Sequence, residues 1–454
     1  MLQVLYLACA AAFIVGLKRL SSPRTARSGN LLAGLGMLGA VVLTLVYQGI
    51  VNWTVITAAA AVGAAVGVVW ARTVAMTAMP QMVAALNGFG GAASALVAGA
   101  ELSVQDPGMA RFDVQLTILF ALVVGAATFS GSLVAFGKLQ ELISGRALVY
   151  QGQMVVSVVV TLVAVSAGVA ALTTGEVLPY WVAAGVALVI GVLMVLPVGG
   201  ADMPVVVSLL NSFSGLAAAG TGFAIQNSAL IIGGALVGSA GFILTVQMCE
   251  AMNRSLLQVL FGAFMSPAAA AAADTGDRAV RTATPEDVAI ALAYAERVLI
   301  VPGYGLAVAQ AQHDVQKLAR ELEARSVNVG YAIHPVAGRM PGHMNVLLAE
   351  ADVAYEKLLD LEEANQLATL TDVVLVLGAN DVVNPSARDD PTSPIYGMPI
   401  FEADRAKTVV VIKRSLAPGY AGIDNPLFYA GDTMMFFGDA KEALQRITDS
   451  LSLV

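Results

Sequence analysis

The sequence predicts a multi-span α-helical membrane domain followed by a C-terminal α/β domain with a parallel sheet. Of its 454 residues, 57% are hydrophobic and only 12% are charged, unlike an ordinary soluble protein. Residues 1–262 carry nine Lys or Arg and seven Asp or Glu, whereas the remainder carries 15 and 25. The two parts of the chain are therefore expected to face different solvents.

Nine apolar runs occur in the N-terminal part, most of them close to the ~20 residues that a helix needs to cross a bilayer. They span residues 2–17, 31–48, 54–71, 81–100, 113–137, 153–173, 178–198, 203–224 and 228–249. The first run lacks the positive start and small-residue cleavage site of a signal peptide, so we interpret it as the first span. We therefore predict a transmembrane domain of nine helices over residues 1–262.

Basic residues in the loops predict the orientation of this domain, because Lys and Arg concentrate on the cytoplasmic side. One side holds only Arg111, and the other holds Lys18, Arg19, Arg24, Arg27, Arg72, Lys138, Arg146 and Arg254. We expect a multi-pass protein of the inner (cytoplasmic) membrane, with its N-terminus outside and its C-terminal domain in the cytoplasm. Residues 263–285, which are Ala-rich and end with Thr-Pro, are typical of a linker leading to a helix cap.

An internal repeat relates two predicted spans at an offset of 124 residues. The matching residues are Met79-Pro80, Val83, Leu86-Asn87, Phe89 and Gly91, against Met203-Pro204, Val207, Leu210-Asn211, Phe213 and Gly215. Both copies enter from the same side, so the repeat is parallel. Asn87 and Asn211 either bond neighbouring helices or line a polar path with Asp202 at its mouth, and the cost of polar groups in a membrane favours the path.

The C-terminal part, residues 286–454, opens with a strand–turn–helix–strand pattern. An apolar strand at 298–301 precedes Gly303-Tyr304-Gly305, an amphipathic helix to about residue 325 and a strand at 327–333. Val308 replaces the third glycine of G-x-G-x-x-G, so the motif alone is weak, although its flanks are correct. Such glycines let backbone approach a pyrophosphate at a helix N-terminus. The pattern favours a Rossmann-like dinucleotide site over an ordinary tight turn.

Residues at the ends of the predicted strands favour NADP(H) over NAD(H). The second strand ends in His334-Pro335, without the acidic residue that usually binds the ribose hydroxyl of NAD. The strand at 408–412 ends in Lys413-Arg414-Ser415, which suits a 2′-phosphate, although a solvated basic corner is a common alternative. Asp381 follows a strand at 373–377 and either titrates, contacts the cofactor or caps the next turn.

Together these motifs resemble the beta subunit of proton-translocating NAD(P) transhydrogenase over nearly the full chain. The resembling segments are 302–312 (PGYGLAVAQAQ), 333–350 (IHPVAGRMPGHMNVLLAE), 378–385 (GANDVVNP), 413–415 (KRS) and 419–428 (GYAGIDNPLF). The resemblance implies that NADP(H) binds this chain, that NAD(H) binds a partner alpha subunit, and that inward proton flow drives Re/Si-specific hydride transfer from NADH to NADP+. It also implies turnover only with the alpha subunit, in a dimer of alpha–beta units.

The resemblance also implies roles for particular residues. Cofactor contacts are expected from Gly303, Tyr304, Gly305, Ala307, Val308, Ala337, Gly338, Arg339, Gly378, Ala379, Asn380, Asp381, Gly419, Tyr420, Gly431 and Asp432, and 2′-phosphate contacts from Lys413, Arg414 and Ser415. Asp381 would link proton transfer to NADP(H) binding. Some family members have His where this chain has Asn87, so a partner helix is expected to supply the membrane proton carrier.

Other function classes are less favoured by the sequence. A net charge of −8 and the lack of a basic stripe argue against nucleic acid. No catalytic triad or metal-spaced cluster is visible, and hydride transfer needs neither because the nicotinamide carries the chemistry. The rival hypothesis is a dinucleotide-regulated channel or transporter without redox turnover, but no selectivity-filter loop interrupts the spans. A redox-inert membrane anchor is a third alternative.

Overall fold

The computed structural model describes residues 2–20, 22–47, 53–75, 78–104, 111–145, 147–200, 202–265, 279–340, 342–393, 395–419 and 421–454. Most of the predicted linker, residues 266–278, and the predicted site residue Tyr420 lie outside the described residues. The chain divides into two compact units, which comprise Met1–Val198 with Val206–Thr245, and Gly199–Val205 with Val246–Val454. Long apolar helices form the first unit, and the second contains a parallel sheet.

All nine apolar runs of the N-terminal part form helices. These are α1 (Leu2–Leu20), α2 (Pro23–Tyr47), α3 (Trp53–Thr73), α4 (Met79–Val104), α5 (Phe112–Leu139), α6 (Gln153–Thr174), α7 (Val177–Val195), α8 (Met203–Ala224) and α9 (Ser228–Ala251). Among the described residues, eight of them, α2 to α9, are long and apolar enough to cross a membrane. The helical prediction is therefore confirmed for every run, and the role of α1 as a ninth span stays a prediction.

Small residues mediate the close contacts between these helices. A β-carbon added at Gly91 of α4 would lie 2.7 Å from the carbonyl oxygen of Gly125 in α5, and one added at Gly125 would lie 2.5 Å from that of Gly91. By contrast, α3 buries none of its side chains within its own unit. This arrangement is expected where hydrocarbon is the solvent, because large apolar side chains then gain nothing by leaving the surface.

The sequence repeat corresponds to helices α4 and α8, which begin at Met79 and Met203. Gly91 of the first copy contacts α5, the next helix in the chain. Its counterpart Gly215 contacts α9, where an added β-carbon would lie 2.8 Å from the carbonyl oxygen of Gly234. Both copies thus use the same glycine to bring the following helix close.

A six-stranded sheet forms the centre of the second unit, with strand order β3-β2-β1-β4-β5-β6 and parallel pairing throughout. The strands are β1 (Arg297–Pro302), β2 (Asn328–Ala332), β3 (Leu358–Leu359), β4 (Val373–Leu377), β5 (Thr408–Lys413) and β6 (Thr433–Phe437). The four predicted strands are β1, β2, β4 and β5, whereas the sequence analysis missed β3 and β6. Because all strands are parallel, their carboxyl ends lie at one edge.

The remaining helices belong to the second unit. They are α10 (Leu256–Met265), α11 (Pro285–Ala293), α12 (Tyr304–Val308), α13 (Gln312–Ala324), α14 (His343–Glu350), α15 (Leu361–Ala368), α16 (Ser386–Asp389) and α17 (Ala440–Leu451). The predicted cap at the start of α11 is confirmed, since the Thr284 hydroxyl accepts the Asp287 N–H at 3.2 Å.

The single amphipathic helix predicted after the glycine turn is wrong, because two helices, α12 and α13, occupy that segment. Gln310 between them has a φ of +50°, and the Ala311 N–H donates back to the Leu306 carbonyl at 3.2 Å. A left-handed residue closed in this way ends a helix. Apolar periodicity continues across the break, so the sequence pattern did not reveal it.

Alternate strand residues build the core that supports the sheet's carboxyl edge. Leu299 and Val301 of β1, Val374 and Val376 of β4, and Phe401 share one buried cluster. Successive side chains of a strand point to opposite faces, so this cluster covers one face only. Every residue of β4 is buried, which shows that both faces of the central strands are covered.

Candidate functional site

The candidate site lies where the loops after the central strands β1 and β4 meet. The Gly303 N–H donates to the Leu377 carbonyl at 2.9 Å, and the Gly305 N–H donates to the Gly378 carbonyl at 3.0 Å. From β1 the chain continues to β2 and β3 on one side of the sheet, and from β4 it continues to β5 and β6 on the other side, so the order of strands reverses direction between β1 and β4. Ligands of open α/β sheets bind in the crevice outside the strand carboxyl ends at such a switch point.

Three predicted glycines allow these two loops to touch through their backbones. A β-carbon at Gly303 would lie 2.5 Å from the Ala379 nitrogen, and one at Gly305 would lie 2.6 Å from Gly378 Cα. Gly378 also has a φ of +62°, a conformation that other residues rarely adopt. Loop packing therefore requires these glycines before any ligand binds. A helix begins directly after Gly303 as predicted, but this helix, α12, has only five residues.

The loop after β2 brings Arg339 to the same place. The Arg339 Cζ lies 4.3 Å from the ring centroid of Tyr304, which is within the range of a cation–π contact. The preceding residue, Gly338, has a φ of +105°. The structure thus brings together two predicted cofactor residues, Tyr304 and Arg339, that are 35 positions apart in the chain.

Two buried histidines support this loop, and the sequence analysis gave neither of them a role. The His334 Nδ1 accepts the Val336 N–H at 3.2 Å, and its Nε2 lies 2.7 Å from the Pro399 carbonyl. The His343 Nδ1 accepts the Arg339 N–H at 3.0 Å. Burial lowers the pKa of each imidazole to about 4, so both rings are neutral at pH 7. Their pattern of partners places the remaining proton on Nε2 in both rings.

Asp381 joins the loop after β4 to the loop after β5. Its Oδ2 accepts the Ala421 N–H at 3.0 Å. Gly419 lies beside the same carboxylate, since an added β-carbon there would be 2.5 Å from Oδ1. The sequence left three alternative roles for Asp381. The structure adds a fourth, in which its carboxylate holds a segment 40 residues further along the chain.

The three residues predicted for a 2′-phosphate follow β5 directly. The Lys413 ammonium donates to the Ala417 carbonyl and lies 5.1 Å from the Phe428 ring centroid. Burial lowers the Lys413 pKa, while nearby carboxylates, including that of Asp381, oppose this shift. Arg414 and Ser415 are exposed. The cluster therefore combines one half-buried cation with an exposed cation and hydroxyl.

The other predicted cofactor residues of these loops differ in exposure. Ala307, Ala337 and Ala379 are buried, and Val308 is exposed. Asn380 is held by Asn425, whose Nδ2 donates to the Asn380 main-chain carbonyl at 3.1 Å. The alanines are therefore part of the floor beneath the loops, and Val308 is at the surface.

Gly431 and Asp432 do not join the carboxyl edge. They precede β6, and the Val409 N–H at the amino end of β5 donates to the Asp432 carbonyl at 3.0 Å. Gly438 and Asp439 follow β6 instead, and the Gly438 N–H donates to the Lys413 carbonyl at 3.1 Å. The sequence analysis did not consider this second pair, because it did not recognise the apolar run 433–437 as a strand, and cofactor contacts of Gly431 and Asp432 stay a prediction.

The predicted membrane residues have identified partners in their own units. The Asn87 Nδ2 donates to the Val207 carbonyl of α8 at 3.0 Å, which is the interhelical bond that the sequence analysis left open. Asn211 lies against α9, where a β-carbon added at Gly241 would be 3.1 Å from its Nδ2. Asp202 pairs with Arg254, with Oδ2 and Nη1 2.9 Å apart. A proton path through these residues stays a prediction.

Comparison with known proteins places this arrangement in a family. The family model for the NAD(P) transhydrogenase beta subunit matches residues 2–450. Two relatives named NAD(P) transhydrogenase subunit beta, both from Rhodospirillum rubrum, are each 47% identical to the chain over 455 residues. Each alignment covers 98% of this chain and 98% of the relative. The similarity therefore extends over both the helical part and the sheet.

Proposed function

This chain belongs to the family of NAD(P) transhydrogenase beta subunits, and from that premise we propose how it works. It binds NADP(H) and acts with an alpha subunit that binds NAD(H). Inward proton flow through its helices drives Re/Si-specific hydride transfer from NADH to NADP+. The observation that carries the proposal is the convergence of the predicted cofactor loops at the carboxyl edge of β1, β4 and β5.

The loops at this edge have features that suit the binding of a phosphorylated dinucleotide such as NADP(H). The strand order is that of doubly wound, Rossmann-type dinucleotide-binding folds, and the crevice lies at its switch point. Gly303 and Gly305 keep side chains out of the crevice floor. Lys413 and Arg414 supply two cations near the same edge, in a unit whose sequence is otherwise acidic. When bound, NADP+ supplies a nicotinamide ring that accepts hydride.

The protein's own residues divide the work of binding. Lys413, Arg414 and Ser415 hold the 2′-phosphate, because a fixed pair of cations and a hydroxyl favours a doubly charged group. Arg339, kept on the Tyr304 ring, contacts the cofactor from the loop after β2. Gly303, Gly305 and Gly378 position the intervening backbone.

Asp381 links proton transfer to nucleotide affinity. As a carboxylate it accepts the Ala421 N–H and attracts Lys413, so it holds the loop that carries the phosphate-binding residues. Protonation would weaken both interactions and loosen that loop. A single proton would thereby change the affinity for NADP(H), which is what coupling between two sites requires.

In the membrane, nine spans place the N-terminus outside and the nucleotide-binding domain in the cytoplasm. Basic loop residues support this orientation. Asn87, Asn211 and Asp202 lie along the proton path, and an alpha-subunit helix supplies the titrating group. Two alpha–beta units form the complete enzyme in the inner membrane.

Calorimetric titration of the full chain in detergent with NADPH and with NADH tests the site assignment. We expect a clear preference for NADPH, which Lys413→Ala weakens roughly 10- to 100-fold because a hydrogen bond to a charged group contributes about 1.5–3 kcal/mol. Lys407→Ala is the matched control, since Lys407 directly precedes the opposite end of the same strand and pairs with Asp372 at 2.7 Å. This control is expected to bind NADPH normally.

Equal affinity for the two nucleotides, or equal losses in the two variants, would contradict the site. Binding of NADPH together with proton flux but without hydride transfer, even after addition of the alpha subunit, would instead favour a dinucleotide-regulated channel or transporter. Turnover assays in proteoliposomes with both subunits separate these outcomes.

A further inference from the structure

His343 makes three contacts to the proposed nucleotide site. It is the first residue of α14 and only 1% exposed. Its Nδ1 accepts the Arg339 N–H at 3.0 Å, and its ring centroid lies 6.4 Å from that of Tyr304. A β-carbon added at Gly338 would lie 2.5 Å from the same Nδ1. One ring thus contacts both residues of the Gly338–Arg339 turn and the aromatic ring on which the Arg339 guanidinium lies.

The hydrogen bonding of this ring is incomplete. Because Nδ1 is an acceptor, the neutral ring carries its proton on Nε2, and among the described residues this buried nitrogen has no partner. A buried donor without a partner is destabilising, because it has lost its hydrogen bonds to water and gained none in return. An apolar side chain of similar volume would avoid that penalty. The imidazole is therefore explained by its acceptor, Nδ1, rather than by packing.

We propose that His343 is a positioning residue for NADP(H) binding, which uses its Nδ1 acceptor to hold the Gly338–Arg339 turn so that Arg339 lies on the Tyr304 ring. This inference rests on the proposed function. His343 acts through Arg339, whose guanidinium is 4.3 Å from the Tyr304 centroid. Loss of the acceptor leaves the turn, with its φ of +105° at Gly338, without the bond that orients the next residue.

Three substitutions separate the acceptor from the bulk of the ring. His343→Asn places a carbonyl oxygen close to the position of Nδ1, whereas His343→Gln places its amide near Nε2, and His343→Leu keeps volume alone. Each is assayed in the full chain with its alpha subunit, by the KM for NADP+ and by the Kd for NADPH. We expect Gln and Leu to raise both constants about tenfold, with a smaller change in kcat, and Asn to stay within about threefold of wild type.

A packing role predicts the reverse order, with Leu closest to wild type, and that result would overturn the proposal. Equal losses in Asn and Gln would overturn it as well. The KM for NADH, at the partner's site, is expected to stay unchanged in all variants that assemble. If wild type itself fails to prefer NADPH, the proposed function fails, whereas normal wild-type binding with the wrong order among variants sinks only the inference about His343.

A measurement on wild type removes any dependence on how the variants fold. The ¹⁵N resonances of His343 in labelled full chain are expected to report a neutral ring protonated at Nε2 at pH 7. A ring protonated at Nδ1, or on both nitrogens, would contradict the acceptor role directly.

Discussion

Glycines bring backbones together in both the apolar helices and the loops of the candidate site, but for different reasons. Between α4 and α5, Gly91 and Gly125 are ordinary helical residues that only need to lack a side chain. Between the loops after β1 and β4, Gly378 needs both a missing side chain opposite Gly305 and a left-handed φ of +62°. At the helix contact, a small shift of one helix can make room for a side chain. At Gly378 such a shift would not remove the second constraint, the left-handed backbone.

The same two regions also place identical side chains in opposite environments. Val155 of α6 is 67% exposed within its unit, whereas Val374 of β4 is 0% exposed. In a membrane the exposed valine faces hydrocarbon, so it needs no cover. In the sheet the hydrophobic effect drives the valine inside. Exposure of an apolar side chain is therefore expected in the apolar helices, whereas burial is expected in the sheet.

The largest expected effect concerns the doubly constrained glycine. Gly378→Ala adds a left-handed penalty of about 1–2 kcal/mol to an overlap with Gly305, for a loss of about 4 kcal/mol and of NADPH binding. Thermal unfolding and calorimetry of the full chain measure both. Gly378→Asn tolerates the φ but keeps the overlap, so it is expected to be nearly as damaging. Restored binding with Asn would show that the dihedral alone matters.

Acid is expected to destabilise one region and spare the other, because all three histidines lie in the second unit. Burial lowers the pKa of His334 and His343 from 6.5 to about 4. The unfolded chain binds more protons between these values, so this stabilisation is complete above about pH 6.5 and is lost as the pH falls towards 4. The loss approaches about 3 kcal/mol per ring.

Hydrogen exchange of the full chain measures this difference locally. Protection in β4 is expected to fall between pH 6.5 and 4, after correction for the intrinsic exchange rate, while protection in α5 stays constant. His313→Gln provides the control, because His313 is exposed on α13 and lacks the burial on which the prediction rests. An equal loss in α5 would contradict the assignment to the buried imidazoles.

A smaller effect is expected at the singly constrained glycine contact. Gly125→Ala places a methyl group 2.5 Å from the Gly91 carbonyl oxygen, so α4 and α5 must separate slightly, at about 1–3 kcal/mol. Unfolding in mixed micelles measures the change. Gly67→Ala on α3 is the matched control, since nothing lies within 4 Å of a β-carbon added there. Similar losses in the two variants would remove the distinction drawn between them.

The smallest effect is expected at Asn87. Asn87→Ala deletes one interhelical hydrogen bond, which contributes about 0.6 kcal/mol on average in membrane proteins. Ser166→Ala on α6 is the control, because that hydroxyl is exposed and bonds its own helix at Leu162. Stability and proton flux are measured together. A loss of flux with unchanged stability would favour the proton path over the helix contact as the main role of Asn87.

Sequence reasoning succeeded where the signal was local. The Thr284 cap, the strand of β4 and the sequence repeat that α4 and α8 share all follow from a few neighbouring residues. It failed where a local pattern had two readings. Apolar periodicity continues on both sides of Gln310, yet the left-handed backbone there ends a helix, and the apolar run of β6 was not recognised as a strand.

The sequence by itself determined the apolar helices, the central strands and the identities of most residues at the candidate site. Only the tertiary structure decided which of those residues meet: Gly305 with Gly378, Tyr304 with Arg339, and Asp381 with Ala421. The physical reason is the range of each interaction. Helix periodicity and capping act within a few residues, whereas these contacts depend on the order of parallel strands, which brings their carboxyl ends to one edge.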